Sequence, residues 1–396
     1  MAWAVVLPSP AMNTHPYHWD IFCTVVDNYG DIGICWRVAR QLAAEHGQQV
    51  RLWVDDLASF HRICPEIDPH RDAQWARGVE VRHWTTSFPT LEQDEVADVV
   101  VEALACTLPQ EYLAAMAARS RKPVWINLEH LSAEEWVTGC HGLASPHPQL
   151  PLTKHFFFPG FTAGTGGLLR ERDLLGQRRA FQSDSTAQAA FWQSLGLPLS
   201  NEKELRLSLF GYDTPEVATL AQAWADSPQP IRCLAPVGRL AQQLAAFLGH
   251  ESAHPGDLFG RGNLMVHVLP FLEQDQYDRL LWGCDLNFVR GEDSFVRAQW
   301  AGRPLVWQAY RQEEGAHLLK LDAFLQCYCA GLPQNVAAAV TDFWQAWNQG
   351  EGLVEQWPVF LKHRDALACY GEKWISQQVK LGDTVTNLVH FCQKYL

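Results

Sequence analysis

The chain has 396 residues, with hydrophobic residues at 47% and charged ones at 19%, a folded globular composition that excludes disorder and allows roughly two to three domains of about 150 residues each. Its 31 Lys and Arg against 44 Asp and Glu give a formal charge of -13, the wrong sign for holding nucleic acid by phosphate neutralisation. The 11 Cys are scattered without CxxC or zinc spacing, so free thiols, a reducing cytoplasm and no metal are expected, and no apolar run reaches the ~18 residues of a membrane span.

The opening stretch has no basic segment and is broken by Pro8 and Pro10, so no signal peptide is expected. Asp20–Val26 reads as a buried strand, and Asp31–His46 sets Ile32, Cys35, Trp36, Ala39, Leu42 and Ala43 on one helical face. Strands over Gln49–Val54, Val79–His83, Ala97–Leu104 and Pro123–Leu128, with a helix over Pro109–Ala118, continue the alternation. Such a pattern predicts right-handed βαβ units on a parallel sheet. Between Leu143 and Ser185 it breaks into Pro, Gly and charge, the expected domain edge with its connecting loops. A second set follows, with strands at Leu205–Phe210, Ile231–Ala235, Leu264–Leu269, Leu286–Arg290 and Pro304–Gln308. Helices at Pro215–Ala225, Leu240–Phe247, Tyr277–Gly283 and Ser294–Ala301 alternate with them, and Glu313 to Leu396 reads as wholly helical. The expected fold is therefore α/β, two Rossmann-like halves with a helical tail, with ligands at the carboxyl ends of the strands.

Two strand-to-helix turns carry polar signals. In the first, Asp27, Asn28, Tyr29, Gly30 and Asp31 put two carboxylates beside a helix N-terminus. One acidic residue would suffice as a cap, so the second suggests a polar pocket. The turn lacks the GxGxxG fingerprint, and Asp55 and Asp56 come as a pair after the next strand, which disfavours a nicotinamide cofactor. In the second turn, Arg290, Gly291, Glu292, Asp293 and Ser294 precede a helix. Ser294 is expected to be its N-cap, with first-turn amides and Arg290 placed to hold phosphate. Glu292 and Asp293 would repel a diphosphate unless they bind something else, such as sugar hydroxyls. Phe210, Tyr212, Phe271 and Tyr277 each fit plain core, but together at one sheet edge they suit a stacked planar base.

The stretches VVDNYGDIGICWRVARQL at 25–42 and FVRGEDSFVRAQWAGRPLVWQ at 288–308 resemble the bacterial elongation factor P arginine rhamnosyltransferases, and the similarity runs from about Trp19 to the C-terminus. The resemblance implies a GT-B glycosyltransferase fold, two facing Rossmann-like domains with a C-terminal helix crossing back to the first. Residues 1–180 with 371–396 would form the acceptor side, and 181–370 the nucleotide-sugar side. It implies inverting transfer of L-rhamnose from dTDP-β-L-rhamnose to one arginine of elongation factor P, with no metal and no other cofactor. Asp27 and Asp31 match the family's acidic pair, Asp31 as general base, and Glu292 matches its catalytic glutamate. Asp293 and Ser294 fall on donor contacts, Phe271 and Gln274 on the base pocket, and Phe210, Tyr212, Arg290 and Tyr310 on further pocket positions. Asn28, Tyr29 and Gly30 complete the acceptor-side turn, and Tyr29 and Tyr277 stand where Phe is common. By the residues alone two other readings stay open: a GT-B enzyme with another donor sugar or a small-molecule acceptor, and a non-catalytic protein-binding module.

Overall fold

The computed structural model describes residues 16–27, 29–85, 88–89, 91–92, 94–198, 203–311 and 315–396, so Asn28 lies outside the described residues. The chain opens with β1 (His18–Cys23), α1 (Gly30–His46), β2 (Gln49–Val54), α2 (Leu57–Ile63), β3 (Ala73–Ala76) and β4 (Val79–His83). It continues with β5 (Val99–Ala103), α3 (Gln110–Ala118), β6 (Val124–Leu128), α4 (Trp136–Cys140), β7 (Ala144–Pro146) and β8 (Thr153–Phe157). These strands form one sheet in the order β3-β4-β2-β1-β5-β6-β8-β7, parallel from β4 to β8. Val99–Ala103 is buried throughout, as an apolar strand covered on both faces must be.

The stretch expected to be connecting loops holds more structure than its prolines suggest. Within Leu143–Ser185 lie β7, β8 and the helix α5 (Leu174–Ser183), followed by α6 (Ser185–Ser194). β8 pairs with β6 from Lys154 opposite Trp125 to Phe157 opposite Leu128. The short apolar run that ends at Phe158 is sufficient for a strand once a sheet edge is waiting for it.

The second lobe adds β9 (Leu205–Leu209), α7 (Val217–Ala225), β10 (Ile231–Pro236), α8 (Arg239–Phe247), β11 (Leu258–Arg261) and β12 (Leu264–Leu269). Then come α9 (Gln274–Gly283), β13 (Leu286–Arg290), α10 (Asp293–Ala301) and β14 (Leu305–Gln308). The sheet order is β11-β12-β10-β9-β13-β14, with only β11 antiparallel. The tail is helical as expected: α11 (Ala316–Cys329), α12 (Gln334–Gln349), α13 (Leu353–Leu361), α14 (Arg364–Val379) and α15 (Thr384–Cys392). Part of the chain's aromatic stock is spent here, where Trp224, Phe343, Trp347 and Trp357 pack around Phe288. Among the described residues no helix is long and apolar enough to cross a membrane.

The chain crosses between the lobes twice. Residue 180 lies inside α5, and residue 371 lies in α14, which is tied to α10 by Trp374 Nε1 donating to Gln299 Oε1 at 2.9 Å. The return comes after α14, where Asp383 bridges to Leu168. α15 then buries Val385, Leu388, Val389 and Cys392, with the Phe391 ring against Phe157. In both sheets the strand order reverses at one point, between β1 and β5 and between β9 and β13. Crevices at such points collect ligands, and here the two crevices face each other.

Candidate active site

Two cavities meet between the lobes. The larger, about 650 Å³, is lined by Tyr29, Phe210, Tyr212, Phe271 and Arg290 among others. The smaller, about 230 Å³, is lined by Asp31, His130, Phe161, Lys320 and Phe324 among others. Asp27, Gly30, Gly291, Glu292 and Tyr310 border both. The smaller cavity's rim includes Leu104 and Ala105 at the end of β5, which hold φ of 53° and 64°, a strained left-handed pair costing roughly 1–2 kcal/mol per residue.

In the first turn the two carboxylates do different jobs. Asp31 is 5% exposed, and its Oδ2 accepts from the backbone N–H groups of Val26 and Asp27, both at 2.8 Å. It therefore braces the turn while also lining the smaller cavity. Asp27 reaches to the second lobe, where its Oδ2 accepts from the Tyr212 hydroxyl at 2.9 Å. Burial raises the Asp27 pKa above its ordinary value; the Tyr212 hydrogen bond and Arg290 pull it down, while Asp31 and Glu292 add like charge.

The second turn corrects one expectation. Ser294 does not cap α10: Glu292 holds the N-cap position and makes no cap bond of its own. The Ser294 hydroxyl instead donates to the Arg290 carbonyl and accepts from the Arg290 N–H at 3.1 Å. The helix starts earlier than the serine, so the hydroxyl closes the turn behind it. Gly291 has φ +59°, and a Cβ there would meet Asp27 Oδ2 at 3.0 Å and Tyr212 Oη at 3.1 Å. Glycine is thus required for both conformation and close approach.

The two acidic residues that looked awkward beside a diphosphate are both engaged by the first lobe. Glu292 Oε1 accepts from Leu131 N–H at 3.0 Å, and Oε2 lies 3.1 Å from His130 Nδ1. Asp293 Oδ1 accepts from Arg37 Nε at 2.8 Å. Arg37 also meets Glu171 and Asp278, and Arg297 pairs with the same two carboxylates, which makes a buried ionic cluster where α1 meets α9 and α10. Gly33 in α1 permits that approach, with Gln274 and Asp293 side chains 3.3 and 3.5 Å from where its Cβ would be.

On the larger cavity's wall the Arg290 guanidinium lies 4.5 Å from the centroids of both Phe210 and Tyr212. Tyr310 is edge-on to Tyr212, Phe210 to Tyr277, and Tyr29 to Phe271 at 4.8 Å. Burial pushes the Tyr277 phenol pKa up. Gln274 lines the cavity but spends its amide on the first lobe, donating to the Gly33 carbonyl at 2.9 Å and accepting from Arg40 at 3.1 Å. The structure thus brings the expected residues together on the two cavities, Asn28 lying outside the described residues. Sequence reasoning missed His130, Arg37 and Gln308, whose Oε1 accepts from Tyr212 N–H at 2.7 Å. Only Arg37 carried a signal, a lone cation between Trp36 and Val38 in an otherwise apolar helix segment.

A family model described as Elongation-Factor P (EF-P) rhamnosyltransferase EarP matches residues 19–393. The protein-arginine rhamnosyltransferase of Pseudomonas putida is 50% identical over 378 residues, covering 96% of this chain and 99% of the relative. That of Shewanella oneidensis is 41% identical over 395 residues, covering 95% and 98%. A solved structure described as the structural basis for EarP-mediated arginine glycosylation of translation elongation factor EF-P superposes with TM-score 0.70 at 38% identity, covering 96% of this chain and 100% of that one. Acinetobacter baumannii MurG, at 13% identity and TM-score 0.50 over 96% of this chain and 100% of its own, shares the fold of two facing lobes, the GT-B arrangement.

Proposed function

The chain belongs to the elongation factor P rhamnosyltransferase family, and from that membership we propose that it moves L-rhamnose from dTDP-β-L-rhamnose onto an arginine of elongation factor P in the cytoplasm, with inversion and without a metal. One observation carries the assignment to this cleft: carboxylates from both lobes, Asp27, Asp31 and Glu292, gather around the smaller cavity, and Asp27 and Glu292 border the larger one too. On this reading the lobe of residues 1–180, joined by the returning α15, binds the acceptor, and residues 181–370, together with the rest of α14, bind the nucleotide sugar.

The larger cavity takes the nucleotide. Phe271, Phe210, Tyr212 and Tyr277 form the aromatic wall for thymine, with Tyr29 packed edge-on against Phe271, while Arg290 and the amides of the α10 start hold the diphosphate. The smaller cavity takes the acceptor side chain. A guanidinium has a pKa above about 12 and delocalised lone pairs, so it is a poor nucleophile that a carboxylate cannot deprotonate beforehand. Asp27 and Glu292 instead hold and polarise it, and Asp31 accepts the proton as the C–N bond forms and the nitrogen turns acidic. The C–O bond to dTDP breaks on the opposite face of the sugar, and its electron pair leaves with the diphosphate. Positive charge developing on the ring is stabilised by the same acidic surroundings.

The test incubates the protein with dTDP-rhamnose and elongation factor P and maps any added deoxyhexose by mass spectrometry. A sugar on an arginine is the expected product; an unmodified factor would refute the proposal. Asp31→Asn and Glu292→Gln should abolish transfer while the fold stays intact, and near-normal turnover in either would sink that residue's role.

A further inference from the structure

Glu292 is supplied by the second lobe, yet both of its oxygens are held by the first. The two donors, His130 Nδ1 and Leu131 N–H, stand side by side on the loop that follows β6. On its own lobe Glu292 makes no cap bond to the helix it precedes. We propose that His130 is the positioning residue for Glu292, orienting its carboxylate where the two cavities join and only when the lobes are together, so that closure and assembly of the acidic site are one event. The inference rests on the rhamnosyl-transfer reading of this cleft.

The geometry favours orientation over packing. The His130 side chain is 42% exposed, whereas that of Glu292 is 19% exposed, so the imidazole adds little to the core and much to the aim of its partner. The titratable and charged groups around it come from four places. Glu292 precedes α10, Asp31 lies on α1, Lys320 and His317 lie on α11, and Asp27 is in the first turn. Burial works against protonation of His130 and Lys320 opposes it too, but the Glu292 hydrogen bond and the charges of Glu292 and Asp31 prevail and raise its pKa above 6.5. Below that raised value the imidazolium is a charge-assisted donor. Above it the bond depends on the neutral tautomer that keeps its proton on Nδ1, a weaker arrangement.

Two substitutions in the full chain separate the roles. An Asn side-chain nitrogen falls near the place of Nδ1 and donates without titrating, whereas Ala does neither. His130→Ala should lower kcat about 10- to 100-fold, the scale of a misplaced group, while the KM for dTDP-rhamnose moves by no more than about twofold. His130→Asn should restore most of kcat and should lack the alkaline step above pH 6.5 that is expected of the wild-type protein. Wild-type kcat in the Ala variant, an Asn variant as slow as the Ala one, or an unchanged alkaline step in the Asn variant would each overturn the proposal. An NMR titration of the His130 imidazole gives a readout independent of turnover: Glu292→Gln should lower its midpoint, and an unmoved midpoint refutes the pairing. If the wild-type protein leaves elongation factor P unmodified, the transfer reading fails, while the titration still judges the His130–Glu292 contact.

Discussion

At Asp27, burial disfavours the charge that binding a guanidinium demands, and the result is a raised pKa held in check by Tyr212 and Arg290. The carboxyl must be ionised to work, so the acid limb of kcat/KM should lie above the ordinary value of 3.8. Tyr212→Phe removes the hydrogen bond that favours the ionised form, and the limb should move further up in pH; a limb that stays or moves down would contradict this. The same shift has a stability sign. A carboxyl whose folded pKa is raised opposes folding once the pH passes its unfolded pKa, so Asp27→Asn should raise the thermal midpoint at neutral pH while abolishing transfer. A lower midpoint at pH 7 would show that the carboxylate is a net stabiliser. Across the turn, Gly291→Ala would force a left-handed Ala against Asp27 and Tyr212. The expected loss is about 1–2 kcal/mol in denaturant unfolding, together with most of the activity.

Helix α1 meets α9 and α10 through charges that are almost entirely out of water. Side chains of Arg37, Arg297 and Asp278 are 1%, 2% and 5% exposed, and the two arginines hold the Glu171 carboxyl well below its ordinary range despite its burial. Arg37→Met keeps the bulk but leaves Asp293 and part of Glu171 and Asp278 uncompensated, which should cost about 3–5 kcal/mol. The sign with pH follows from the depressed carboxyl: its contribution is present above the unfolded value of 4.5 and fades as the pH falls below it. The gap in melting temperature between wild type and Arg37→Met should therefore be widest near neutrality and narrow in acid. A gap independent of pH would mean that Arg37 acts by packing alone. This cluster also marks the limit of what was legible. The Asp27–Asp31 turn and the Arg290–Ser294 turn could be read because glycines, acidic residues and apolar periodicity fall within a few positions of each other. β8 was hidden because its apolar run is flanked by prolines that locally spell loop, while the sheet edge it joins is β6, distant in the chain. His130 and Arg37 find their partners 162 and 256 residues away; local pattern marks Arg37 as an odd cation in an apolar helix segment but says nothing of which residue it meets.

The lobes differ in how much each owes to the end of the chain. α14 stays on the second lobe, and only α15 returns to the first, burying Val385, Leu388, Val389 and Cys392 there. At roughly 1.5 kcal/mol or more per buried side chain, an upper estimate against an extended unfolded chain, deleting residues 384–396 should remove on the order of 6 kcal/mol from the first lobe. It would also uncover the face on which Phe391 packs against Phe157 and His141. The second lobe has no matching debt. Of its half of the ionic cluster Asp293 loses its partner Arg37, while Arg297 keeps Nε and Nη2 on the Asp278 oxygens at 2.9 and 2.6 Å and Trp374 stays tied to Gln299. The truncated protein should therefore unfold in two calorimetric steps, the first lobe well below the second, and the upper step should keep close to the wild-type temperature. Transfer should be lost with the lower step, since Asp27, Asp31 and the donors to Glu292 all belong to the lobe that melts. A truncated chain that melts once, at the wild-type temperature, would show that the first lobe does not depend on the returning helix.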